Sequence, residues 1–203
     1  MKRVLVVLII VASAVGFGAF AFLKLAANGF SARDEPSSGE KFAARAARSL
    51  AMPGIAKSRQ NPVPKSAEVL AEAQEHWADH CASCHANNGN GDTEMGRTMY
   101  PRAPDMRKEE TQKLTDGELF FIIENGIRLT GMPAWGNGSA KSEQASWKLV
   151  HFIRHLPQVS DDEERQMQKM NPKSAADLQE EKEEEEFLKG NNPNAKQKTH
   201  SQH

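Results

Sequence analysis

Aromatic residues all but vanish toward the C-terminus: beyond Pro157 only Phe187 remains, and tyrosine occurs once in 203 residues. A segment so poor in large apolar groups has little to offset the entropy of ordering, so no second core is expected there. Only two cysteines are present, Cys81 and Cys84. Charge of neither sign dominates, with a net of −1, and nucleic acid is not an expected partner. What remains fits one domain of about 100 residues with appendages.

The charge is unevenly spread. Lys24 to Lys65 carries 8 basic and 3 acidic residues, whereas Ser66 to Pro157 carries 9 and 13. The basic stretch follows an apolar run, which points to anionic lipid headgroups or an acidic protein as its counterpart. Met1-Lys2-Arg3 precedes 20 uncharged residues, Val4 to Leu23, enough helix to span a hydrocarbon core of about 30 Å. That exceeds the roughly 7 to 15 residues of a signal-peptide apolar region. An uncleaved anchor is expected, with Lys2 and Arg3 inside and the rest outside. A cleaved leader, processed near Ala26-Ala27 or Ser31-Ala32, is the alternative, and both export the protein.

The cysteine pair admits three chemistries: a redox disulfide, half a zinc site, or thioether attachment of haem. His85 directly follows Cys84 in Cys81-Ala-Ser-Cys84-His85, and this favours haem. Two thiols must reach the vinyl groups on one porphyrin edge, and an imidazole in the next turn must present nitrogen to iron. A zinc site would need a second ligand pair, for which His76 and His80 are the nearest candidates. A thioredoxin-like site would need alternating strands and helices, which the sequence lacks.

The flanking pattern is helical. Ser66 caps a helix whose Leu70, Ala73 and Trp77 share one face and which delivers Cys81 inward. Ala86 to Thr111 reads as a loop with something to wrap. Thr115 and Glu118 form a capping box opening a helix that stops at Asn125-Gly126. A third helix from about Ser142 turns Trp147, Val150 and Ile153 inward and ends at Pro157. Such a small domain is marginal without its cofactor.

Six-coordinate iron suited to electron transfer needs a second axial ligand, and methionine sulfur serves. Met132 is the choice, in Thr130-Gly131-Met132-Pro133-Ala134-Trp135, since Gly and Pro hold a short loop between the second and third helices. A methionine filling a core gap is the bland alternative. The carbonyl of Pro101 or Pro104 is a candidate to orient His85 through its far nitrogen. Tyr100, Arg102 and Trp135 are candidates for haem propionate or rim contacts.

Taken together, Cys81-Ala-Ser-Cys84-His85, Gly89-Asn-Gly91, Tyr100-Pro101, Ala103-Pro104-Asp105, Asp116-Gly117-Glu118-Leu119, Glu124-Asn125-Gly126-Ile127 and Gly131-Met132-Pro133-Ala134-Trp135 resemble class I c-type cytochromes. The likeness is to bacterial monohaem domains similar to the cytochrome subunits of cbb3-type oxidases. It covers about residues 66 to 157 and implies an all-α cytochrome c fold, three to four helices around one haem c. Cys81 and Cys84 would hold the haem covalently, with His85 and Met132 as axial ligands. The whole layout also resembles single-anchor bacterial cytochromes.

The expected organisation is therefore an anchor or signal sequence at 1–25, a basic linker at 26–65, the haem domain at 66–157 and a charged, partly helical or disordered tail at 158–203. Glu40 to Ala56 reads either as a basic amphipathic helix on the membrane surface or as a plain tether. Ser160 and Glu163 pattern as a helix cap in the tail, and His200 and His203 are a weak metal-binding candidate. The expected function is a non-enzymatic, periplasmic, inner-membrane electron carrier. It would serve redox proteins of the respiratory chain and have no small-molecule substrate. A haem subunit of a larger respiratory or dehydrogenase complex, and a haem sensor or enzyme, are the alternatives.

Overall fold

Apolar faces at helical spacing recur along the sequence, and the computed structural model, which describes residues 2–27, 29–173 and 175–189, is helical with no strand among them. Helix α1 (Lys2–Ala27) has 26 residues, none buried, and is about 39 Å long at 1.5 Å per residue. By length and composition it can cross a membrane. After it come α2 (Ser38–Ala51), α3 (Gly54–Ser58) and α4 (Ala67–His76), then a π-helical turn Trp77–Cys81 running into α5 (Ala82–His85). Two short helices follow, α6 (Glu94–Thr98) and α7 (Glu109–Gln112), in the stretch expected to be loop. The remaining helices are α8 (Asp116–Asn125), α9 (Ala140–His155) with a 3-10 turn Leu156–Gln158, α10 (Asp161–Met170) and α11 (Ala175–Leu188).

The core forms where α4, α8 and α9 meet. Trp77, Val150, Phe152, Leu156 and Met167 are its largest fully buried side chains. Phe120 stacks on Trp147 with centroids 4.1 Å apart, and Trp77 meets Phe152 at 5.5 Å. Caps set the helix starts as expected: the Ser66 hydroxyl accepts from Val69 N–H, and Thr115 with Glu118 forms a capping box. The third helix begins two residues before Ser142, capped by Ser139.

Two boundaries move outward. The second half of the expected linker is part of the folded domain: Met52 and Ala56 are buried, and the Ala56 carbonyl packs so closely on Gly117 that no side chain fits there. The Arg59 guanidinium lies 4.5 Å over Phe120 and 5.2 Å from Trp147, while Asn61 Nδ2 donates to Trp147 O at 2.8 Å. At the other end α10, with its Ser160–Glu163 capping box, belongs to the same core. Met167 is 0% exposed, His155 meets Glu163 at 2.7 Å, and Gln74 donates to Glu163 O at 3.4 Å. Burying one such side chain stabilises by about 1.5 to 3 kcal/mol. His200 and His203 lie outside the described residues.

Candidate haem site

The Cys81–His85 segment begins where α4 widens. The π-helical turn Trp77–Cys81 inserts between α4 and α5, a distortion frequent at functional sites. Through it Cys81 stays half-buried against the core cluster, and Cys84 and His85 follow on α5, both half-buried. The two thiols are not joined. Burial, and then the neighbouring Cys84, push the Cys81 thiol up to about 12, so it stays protonated at neutral pH, unlike the lowered thiolates of redox motifs.

Burial pushes His85 down to about 4, which leaves a neutral imidazole with a lone pair to give. Its Nδ1 is buried and has no hydrogen-bond partner. The ring lies 5.8 Å from Trp77, whose Nε1–H donates to Ala86 O at 3.1 Å. Ala86 itself, at φ 62° and ψ 160°, occupies backbone space that glycine alone adopts readily, a strain worth about 1 to 3 kcal/mol. The turn after it is tied back by Gly91 N–H donating to His85 O at 2.9 Å and by Thr93 Oγ1 donating to Cys84 O at 3.2 Å.

Met132 is half-buried in the connection between α8 and α9, as expected, and that connection folds back on the end of α8. Ile127 N–H donates to Met132 O at 3.1 Å, Trp135 N–H to Ile123 O at 3.0 Å and Gly136 N–H to Glu124 O at 3.1 Å. Met132 N–H donates to Thr130 Oγ1 at 3.1 Å. The other methionines after the motif are placed differently. Met167 is core and Met170 is 44% exposed, while Met106 packs against the core from the 99–108 stretch. Met95 is exposed with its sulfur 3.3 Å from Cys84 Sγ. Met99 rests its sulfur on Gly131 beside Met132, a neighbour that no spacing in the sequence signals.

The residues named as candidates to support a haem make the following contacts within the chain. Neither Pro101 nor Pro104 bonds His85, whose Nδ1 has no acceptor. The reason is the path of this stretch: the Ala103 and Pro104 carbonyls face Gly91, and Ala103 N–H donates to Gly96 O at 3.0 Å. The Tyr100–Pro101 peptide is cis. Tyr100 and Arg102 turn to the N-terminal segment, where Tyr100 Oη donates to Glu40 at 3.0 Å and Arg102 pairs with Glu35 at 3.0 Å. Trp135 is 39% exposed and meets the His80 ring edge-on at 5.5 Å. Sequence reasoning missed the structural parts played by Ala86 and Gly126, because an unusual φ leaves no mark on an alanine and Gly126 reads simply as a helix stop.

The donor set fits haem. A neutral imidazole with an orphaned second nitrogen, two unpaired thiols three residues apart and a thioether on a tied loop are the groups that a c-type haem requires. Zinc would need further ligands, and among the described residues no group of three His, Cys, Asp or Glu is placed to hold a metal ion. A search of curated proteins finds no match to the chain. Residues 68–153 match the family model described as cytochrome c oxidase, cbb3-type, subunit III; this segment, which holds Cys81, Cys84, His85 and Met132, is a c-type cytochrome domain of that family, with a small all-α cytochrome c fold.

Proposed function

We propose that the protein is a membrane-anchored, single-haem electron carrier, with Cys81 and Cys84 bonded to the haem and His85 and Met132 as axial ligands. The observation that carries this reading is His85: half-buried, with a buried Nδ1 that has no hydrogen-bond partner, and directly following Cys84 at the end of α5. When bound, a haem supplies a one-electron iron couple. The chain's own residues do the rest. His85 gives an uncharged nitrogen donor, Met132 a soft sulfur that favours a raised potential, and the Trp77–Phe152 core excludes water from the imidazole side. Iron held by both His85 and Met132 would leave no position for a substrate, which would distinguish a carrier from a sensor or enzyme.

Helix α1 fits an anchor or an export signal, and in either case the haem domain lies in the periplasm of a bacterial cell. Its partners are redox proteins of the respiratory chain. Membership of a larger complex is a second reading, favoured by the family match to an oxidase subunit. Purification in mild detergent separates the two: a stable stoichiometric companion supports the subunit, a solitary chain the carrier.

Haem staining after denaturing electrophoresis tests attachment, and carbon monoxide tests ligation. Haem that migrates with the chain, and a ferrous form that resists carbon monoxide at neutral pH, are expected. Rapid stoichiometric carbon monoxide binding overturns the carrier reading.

A further inference from the structure

Helix α2 is turned inside out relative to a core-packing helix. Its polar side faces the domain: Glu40 accepts from Tyr100, Arg45 approaches Glu110 at 3.7 Å, and Arg48 is half-buried. Its large apolar side chains face away, Phe42 75% and Leu50 88% exposed, and Ile55 in α3 is 76% exposed. Phe42 and Leu50 stand two i+4 steps apart, on one side of the helix. Soluble helices place such residues inward, so this face is built for a cover.

Charge and connectivity name the cover. Ser38 to Ser58 holds four cations against one carboxylate, Glu40; Glu40, Arg45 and Arg48 are turned to the domain, which leaves Lys41 and Lys57, both exposed, as the free charges of the segment. Ten residues separate the end of α1 from the start of α2, a tether that reaches at most about 35 Å. A basic helix with exposed Phe, Leu and Ile, held that near a spanning helix, matches an interfacial segment on anionic lipid. We infer that α2 and α3 lie in the headgroup region of an anionic bilayer and seat the cytochrome domain upon it.

The contacts on the polar side transmit that seating. Glu35 and Glu40 bind Arg102 and Tyr100, Arg59 covers Phe120 and Trp147, and Ala56 abuts Gly117. The bilayer therefore fixes which surface of the domain points away from it, toward a soluble redox partner. The inference rests on the reading of α1 as an uncleaved anchor.

Hydrogen exchange on the full-length holoprotein in lipid nanodiscs tests it. Discs of phosphatidylcholine alone are compared with discs containing phosphatidylglycerol, for the wild type and for the double variant Phe42→Ser, Leu50→Ser. Both changed residues are exposed, and unchanged haem absorbance checks the fold. Exchange in 38–58 is expected to slow several-fold in the anionic discs and to lose that protection in the variant. Equal exchange in both discs and in the variant overturns the inference, as does protection that rises with protein concentration, which would mark a second copy as the cover. Loss of the protein from the discs in high salt defeats the anchor reading itself and the seating with it, a result distinct from unprotected α2 in a retained protein.

Discussion

Gly126 lies back to back with Met132: a Cβ on the glycine would stand 2.7 Å from the Met132 carbonyl oxygen and 2.6 Å from the Pro133 carbonyl carbon. Gly126 also sits at φ 64° and ψ −168°, a region open essentially to glycine alone. Helix α8 thus ends on a residue whose missing side chain lets the Met132 loop fold back. Gly126→Ala is expected to weaken or abolish the sulfur-to-iron absorption of the oxidised protein and to cost about 1 to 3 kcal/mol of stability. Absorbance and denaturant titration of the same samples read both effects.

Met132→Ala should remove the sulfur-to-iron band altogether. Met95→Ala and Met106→Ala should keep it, since one side chain is exposed beside Cys84 and the other packs on the core. Absorbance of the three oxidised variants checks the assignment, and loss of the band in Met106→Ala alone would transfer the ligand role.

Ala86 is strained in the wild type, one residue past His85. Ala86→Gly should relieve that strain and raise stability by about 1 kcal/mol once the greater freedom of the unfolded chain is offset, seen as a higher denaturation midpoint. An unchanged or lower midpoint would show that the turn holds no net strain.

Met167→Ala tests whether α10 belongs to the domain. Truncating a fully buried methionine costs about 2 to 5 kcal/mol, whereas the same change on a solvated tail helix costs almost nothing. Chemical denaturation of the holoprotein distinguishes the two.

Local chemistry was legible in the sequence and distant contact was not. Ser66, Thr115 with Glu118, and Ser160 with Glu163 announced their helices because a cap bonds within three residues of itself. The order Cys81, Cys84, His85 carried its chemistry for the same reason. Met52, Ala56 and Met167 join the core from segments whose charge density reads as solvated. Their burial depends on partners such as Gly117 and Gln74, remote in sequence. Helices α6 and α7 have five and four residues, too few to show a period. Tyr100 and Arg102, candidates for haem propionate or rim contacts, bond the carboxylates of Glu40 and Glu35, partners about 60 residues away that no local pattern signals.

A redox titration of the detergent-extracted protein tests the His85/Met132 electron carrier most directly, following the reduced haem bands and the sulfur-to-iron band together. A single one-electron transition is expected, with the sulfur band present in the oxidised state and lost in Met132→Ala. A low-potential transition without that band, or several transitions, would contradict it.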